Sequence, residues 1–262
     1  MRSTRAIGQN LCSESLNTLA RSYHVMAHHQ QLKALLSTIY PNSDLSSFSK
    51  RALHELINDS LLKGYVGEEI IKYLLIKDFF PKKVTAAFEL RVNNSRIDFL
   101  AINGYTKSFE IKSSLDNLRK LAKQVSDYMK VFEYNFIVID EKHLSSALSI
   151  VPKSYGIWIY RNKKKVVVRD AELNSQLDPT LQLSLFTKKE IAVFFKDYQD
   201  CSERILVNFT SDDINQKFKS MLKRRYEEKW TFIKTHKAAI LPIDFHFFYH
   251  NNISPNIIYK TA

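Results

Sequence analysis

Three side chains in the segment RIDFLAINGYTKSFEIK (residues 96–112) have the types and spacing for metal-assisted phosphodiester chemistry: Asp98, Glu110 and Lys112. Two carboxylates held together offer hard oxygen ligands to a divalent ion. A lysine beside them can orient a water and offset charge on a phosphate. Asp98 and Glu110 lie too far apart in sequence to be neighbours on one strand, so a hairpin has to join them.

Alternation supplies that hairpin. Ile97, Phe99, Ala101, Phe109 and Ile111 are apolar, whereas Arg96, Asp98, Ser108, Glu110 and Lys112 occupy the even positions. Successive strand side chains point to opposite faces, so the first set predicts a buried face and the second a polar one. Asn103-Gly104 marks the turn. Parity then decides whether a site can form. A two-residue loop of Asn103 and Gly104 pairs Ile102 with Tyr105 and turns Asp98 and Glu110 to opposite faces. A three-residue loop, Ile102-Asn103-Gly104 with Gly104 left-handed, puts them on one face. The expectation is an odd-length or bulged turn, and a strict two-residue loop would remove the metal-site reading.

The elements that follow fit the same site. Ser113-Ser114 offers a cap, and a helix is predicted from near Leu115 or Asp116. Its buried face is Leu118, Leu121, Ala122, Val125, Met129 and Phe132. Gln124 and Tyr128, four apart, meet on its surface. Phe136 to Asp140 reads FIVID, a fully buried strand reached by a parallel crossover.

With these elements in this order, the chain resembles the PD-(D/E)XK nuclease superfamily from about Lys63 to Asp170. It looks closest to a bacterial branch with an EIKS motif (Glu110 to Ser113) and a RecB-like Gln-x-x-x-Tyr helix (Gln124, Tyr128). Ile97 stands where many members carry proline. The resemblance implies an α/β fold with a restriction-endonuclease-like αβββαβ core, a mixed central sheet flanked by helices. It implies that Asp98, Glu110 and the Ile111 carbonyl ligate Mg²⁺ or Mn²⁺ and that Lys112 positions the attacking water. A glutamate on the helix before the first strand completes the set: Glu68, with Glu69 as the alternative. Gln124 and Tyr128 would support the site, and Tyr128 and Ser113 would contact nucleic acid. Lys112→Ala is expected to spare the fold, because Lys112 lies on the polar face. Taken without the resemblance, Glu110 and Lys112 read as a solvated ion pair worth little.

Composition agrees with a polyanionic partner. The 262 residues carry 39 Lys and Arg against 27 Asp and Glu, a net +12. That balance favours a polyanion, of which nucleic acid is the usual one, and the nuclease resemblance makes DNA the expected partner. The Lys163-Lys164-Lys165 run at a hairpin tip is a candidate phosphate contact, and Lys217, Lys223, Arg224 and Arg225 make a long helix from Ser211 to about His236 basic. The two cysteines, Cys12 and Cys201, fit a reducing cytoplasm and form no zinc motif. No apolar run reaches the length of a membrane span, and the start MRSTRAIGQNLCSES lacks the apolar stretch of a secretory signal. His246 and His250 flank Phe247-Phe248-Tyr249, a core-like run with no third metal ligand nearby. There is no Gly-x-Gly-x-x-Gly, Walker-type loop or Gly-x-Ser-x-Gly elbow.

Three zones are expected: a helical extension (1–62), a nuclease-like core (63–176) and a mostly helical region (177–262). The predicted function is a metal-dependent nuclease acting on DNA, alone, as a homodimer or with a protein partner. The alternative is a catalytically silent or partner-gated nucleic-acid-binding module of a mobile-element or phage-defence system.

Overall fold

The computed structural model describes residues 11–198 and 202–260. Cys201 and most of the basic start lie outside the described residues.

The β-branched and aromatic runs pair in chain order. β1 (Thr85–Val92), β2 (Ser95–Asn103), β3 (Tyr105–Lys112), β4 (Tyr134–Ile139), β5 (Gly156–Arg161) and β6 (Lys164–Arg169) form one six-stranded sheet, ordered β1-β2-β3-β4-β5-β6. Hairpins make β1–β2, β2–β3 and β5–β6 antiparallel, and crossovers make β3–β4 and β4–β5 parallel. Phe136 to Ile139 are all buried, as a strand covered on both faces must be.

Helices flank this mixed sheet. α1 (Ser13–Ser22), α2 (His29–Ile39), α3 (Lys50–Gly64) and α4 (Glu68–Lys77) precede it, and α5 (Leu121–Met129) and α6 (Leu144–Ile150) are its crossovers. After it come α7 (Pro179–Ser184), α8 (Lys188–Phe194), α9 (Ser202–Asn208), α10 (Ser211–His236), α11 (Phe245–Asn251) and α12 (Pro255–Tyr259). Local caps set several starts. Ser49 Oγ accepts the Ala52 N–H at 3.2 Å, and Thr187 with Glu190 forms a capping box. No helix among the described residues is long and apolar enough to cross a membrane.

The chain divides into two compact units that cut across the three expected zones: Met1–Tyr73 with Phe232–Ala262, and Leu74–Thr231. Residues after the sheet join the second unit because Leu183, Phe186, Phe195, Ile214 and Phe218 bury in one cluster with Leu100, Ile102 and Phe132. Residues from Phe232 onward join the N-terminal helices instead.

A buried polar cluster ties that helical unit together. The Tyr23 hydroxyl lies 2.7 Å from His54 Nδ1 and donates to Asp244 Oδ2 at 3.1 Å. The Tyr259 hydroxyl donates to the same oxygen at 2.6 Å. Burial pushes the Asp244 carboxyl up from 3.8 to about 6, against its hydrogen bonds from Tyr259, Tyr23 and Asn58. Burial, with Lys50 and Arg51 adding to it, lowers His54 from 6.5 to about 4. The two groups act on stability with opposite signs. His54 contributes fully above 6.5, and its share is lost as pH falls through about 4. Asp244 contributes fully below 3.8, and its share is lost as pH rises through about 6. Between those limits they offset each other. His54→Gln is therefore expected to melt higher as pH falls from 6 to 4, and Asp244→Asn to melt lower. Each slope approaches about 1.4 kcal/mol per pH unit. Thermal melts of both variants across that range check this; slopes of one sign in both would refute it.

Candidate functional site

The turn between β2 and β3 has odd parity. Asn103 pairs with Tyr105 across Gly104, which alone forms the tip at φ +71°, a conformation glycine adopts without penalty. The ladder then runs Ile102 to Thr106, Leu100 to Ser108 and Phe99 to Phe109. Continued one step, it sets Asp98 opposite Glu110 on one face. The loop is thus one residue further along than Ile102-Asn103-Gly104, which would have set Asp98 opposite Ser108.

Alternation along β2 breaks at Asp98. Phe99 packs against Phe79, Phe88 and Phe109. Ile97, expected on the same face as Phe99, buries instead with Leu100 and Ile102. The neighbouring strand breaks at the same level, where Glu89 has φ +53°. The β1–β2 register passes from Phe99 to Ile97, and the β2–β3 register ends at Phe99. Its carboxylate turns to β3, where Oδ2 accepts the Ile111 N–H at 2.7 Å. A backbone donor beyond the end of the β2–β3 ladder is satisfied in this way.

The polar face of the hairpin is buried under α5. Glu110 is 2% exposed, which overturns the solvated ion-pair reading. Lys112 Nζ donates to Glu110 Oε1 at 2.5 Å, with the lysine side chain 13% exposed. Gln124 Nε2 donates to the same oxygen, and the Tyr128 hydroxyl donates to Oε2 at 3.0 Å. Both helix residues are within reach because they stand one turn apart on α5. Burial raises the Tyr128 pKa far above its ordinary value, and the charges of Glu110 and then Asp98 add to the rise. Tyr128 therefore stays a neutral donor, and both carboxylates act on it. Gln124 Oε1 is buried with no hydrogen-bond partner among the described residues.

Several expected roles change. Tyr128, expected to contact nucleic acid, is buried, and its hydroxyl is turned to Glu110. Ser113 is buried too, and its N–H and hydroxyl both donate to Asp116 Oδ2, at 2.7 and 2.6 Å. That turn delays the crossover helix to Leu121, later than the Leu115 or Asp116 start expected. Glu68 and Glu69 occupy the first turn of α4 in the helical unit, where Glu68 pairs with Lys72 at 2.6 Å. Lys163 and Lys164 are exposed at the β5–β6 turn, where Asn162 and Lys163 have positive φ. Lys165 departs from them: its Nζ lies 4.3 Å from the Trp158 ring centroid and 3.1 Å from Asp78. Arg225, expected on a basic surface, instead pairs with Glu190 at 2.5 Å.

Sequence reading missed Lys219. It is buried on α10 and donates to the Gly104 carbonyl at 2.8 Å and to Glu133 Oε1 at 2.9 Å. One signal was available: Asn215 and Lys219 stand four apart beside the apolar positions Ile214 and Phe218.

The support of Glu110 can be weighed directly. Tyr128→Phe removes one donor from a buried carboxylate and is expected to cost about 2 kcal/mol of stability. A urea midpoint equal to that of the parent would show that the hydroxyl does not hold Glu110.

Fold and site together define a mixed α/β protein whose central hairpin presents a carboxylate–lysine cluster beneath a crossover helix. The chain belongs to the bacteriophage P4 protein cII family, which it matches over residues 57–248. It is similar to Protein cII of Enterobacteria phage P4, with 25% identity over 178 residues, covering 61% of this chain and 67% of that protein. Among solved structures, a protein of unknown function from Silicibacter pomeroyi aligns with a TM-score of 0.35 and 16% identity, covering 50% of this chain and 89% of that one.

Proposed function

We propose that this chain is a metal-dependent nuclease of the PD-(D/E)XK type, with a restriction-endonuclease-like core, hydrolysing phosphodiester bonds in DNA. The observation that carries this reading is Glu110: a buried carboxylate opposite Asp98, held by Lys112, Gln124 and Tyr128. Burying an ion pair is seldom a gain over apolar packing. Such a cluster in a sheet core therefore points to chemistry.

The donor set suits Mg²⁺ or Mn²⁺. Asp98 and Glu110 are hard oxygen ligands, and the Ile111 carbonyl is the third that the resemblance implies. Within the sheet unit no further described Asp, Glu, His or Cys closes on both carboxylates. That suits Mg²⁺, which takes one or two carboxylates and fills its shell with waters and substrate oxygens. The orphaned Gln124 Oε1 is an acceptor for such a water. The ion, when bound, lowers the pKa of a water and offsets charge on the scissile phosphate. Lys112 keeps a positive charge beside the reacting phosphate, Gln124 and Tyr128 fix the Glu110 carboxylate, and the net +12 draws the polyanion in.

Cleavage of supercoiled plasmid and of labelled single-stranded DNA, with Mg²⁺, with Mn²⁺ and with chelator, tests the reading. Cutting that requires the metal supports it; folded protein that cuts neither substrate in either metal counts against it. A second reading rests on the closure of Lys112 onto Glu110: a silent nucleic-acid-binding module. It calls for strongly salt-dependent DNA binding without turnover.

A further inference from the structure

The helical unit carries ligating groups of a different kind, on α11. Phe245, Phe248 and Tyr249 are buried and fasten this helix to its core, where Phe248 meets the Tyr259 ring edge-on at 5.5 Å. Phe248 and Tyr249, between the two histidines, therefore pack as their composition suggests. His246 and His250 stand one turn apart off that core, the first half-buried and the second exposed. Their ring centroids are 4.5 Å apart, and Nε2 of one ring lies 3.1 Å from Nε2 of the other. The buried Tyr249 ring meets the His250 ring edge-on at 5.4 Å and limits its rotation.

That separation suits a shared metal ion. Two nitrogens held at 2.0–2.1 Å by a tetrahedral ion stand roughly 3.3–3.4 Å apart. The pair has to open by only about 0.3 Å to reach that spacing. A hydrogen bond between two neutral rings uses one Nε2 lone pair and one Nε2 proton. A metal uses both lone pairs and leaves each ring its proton on Nδ1. Two histidines at i and i+4 on one helix face are also how helical zinc sites obtain two of their ligands.

We infer that His246 and His250 chelate a borderline transition-metal ion, of the Zn²⁺, Ni²⁺ or Cu²⁺ class, through both Nε2 atoms. Imidazole suits those ions, whereas the Asp98 and Glu110 oxygens suit Mg²⁺ or Mn²⁺, so the two groups select different metals. Two protein ligands leave the remaining positions to water. That is the open arrangement, unlike the closed four-ligand sites that hold a fold together. Apolar burial already fixes α11, so the fold does not need the ion. The inference does not depend on cleavage at the hairpin.

Calorimetric titration of the metal-free full chain with Zn²⁺, in saturating Mg²⁺, tests it. One equivalent of Zn²⁺ is expected to bind with a Kd below ~1 mM. His246→Gln and His250→Gln are each expected to weaken it about tenfold or more, and the double variant little further, because one ligand alone makes no chelate. Asp98→Asn is expected to leave this binding unchanged. Lowering the pH should weaken it, since protons compete for the same lone pairs. In the long-range ¹⁵N–¹H spectrum, with the two rings assigned from the single variants, both should take the Nδ1–H form when Zn²⁺ is added. A Zn²⁺ affinity unchanged in both single variants, or no parent binding tighter than ~1 mM, would overturn the inference.

Discussion

Lys112→Ala is expected to reduce metal-dependent cleavage by about a thousandfold or more, the scale set by losing a preorganised positive group at a reacting phosphate. It is also expected to cost stability, about 1–3 kcal/mol. Alternation alone placed Lys112 on a polar face, and a lysine there would be removable without harm to the fold. The face is in fact covered. Lys112 lies 2.5 Å from a carboxylate that is only 2% exposed. Without the lysine, Glu110 loses an ammonium donor and keeps the neutral donors Gln124 and Tyr128. A divalent ion between the carboxylates would restore that charge, so Mg²⁺ should raise the melting temperature of the variant more than that of the parent. Single-turnover cleavage well below the melting temperature separates catalysis from stability. A variant that still cuts would end the catalytic role, and one that melts like the parent without metal would show that Glu110 does not need its ammonium partner.

What the sequence made legible was local. The Asn103-Gly104 turn, the parity that joins Asp98 to Glu110, the buried strand after a crossover and the Thr187 cap all depend on residues within a few positions of one another. The Gln124–Tyr128 spacing was equally readable, and both side chains do reach Glu110. What stayed hidden was set from a distance. The turn lies one residue beyond the expected loop, and its Gly104 carbonyl is held by Lys219 from α10. Ile97 leaves the expected face because β1 and β2 break together at Glu89 and Asp98. An ExK pattern carries no sign of burial, because what buries Glu110 is a helix more than ten residues later in the chain. The division into units is likewise non-local, since Asp244, held by Tyr259, meets Tyr23 across most of the chain.

Lys219→Met should destabilise the sheet unit by about 3–5 kcal/mol, the usual cost of removing one partner from a buried ion pair. Glu133 accepts the Thr106 N–H at 2.7 Å, the Asn215 amide at 2.9 Å and Lys219 Nζ at 2.9 Å. Without the lysine, that carboxylate is buried among neutral donors, and the Gly104 carbonyl loses the ammonium that holds it. At about 2–4 °C per kcal/mol for a domain of this size, the melting temperature should fall by roughly 10 °C. Adding Glu133→Gln to Lys219→Met removes the stranded charge and should recover much of the loss, which a double-mutant cycle reads as strong coupling. The effect should reach the candidate site, because the same lysine fixes the turn whose register sets Asp98 opposite Glu110. Residual cleavage by the single variant, assayed where it remains folded, should therefore fall further than its stability alone would explain. A loss below about 1 kcal/mol with no coupling to Glu133 would mean that the hairpin holds its register without α10.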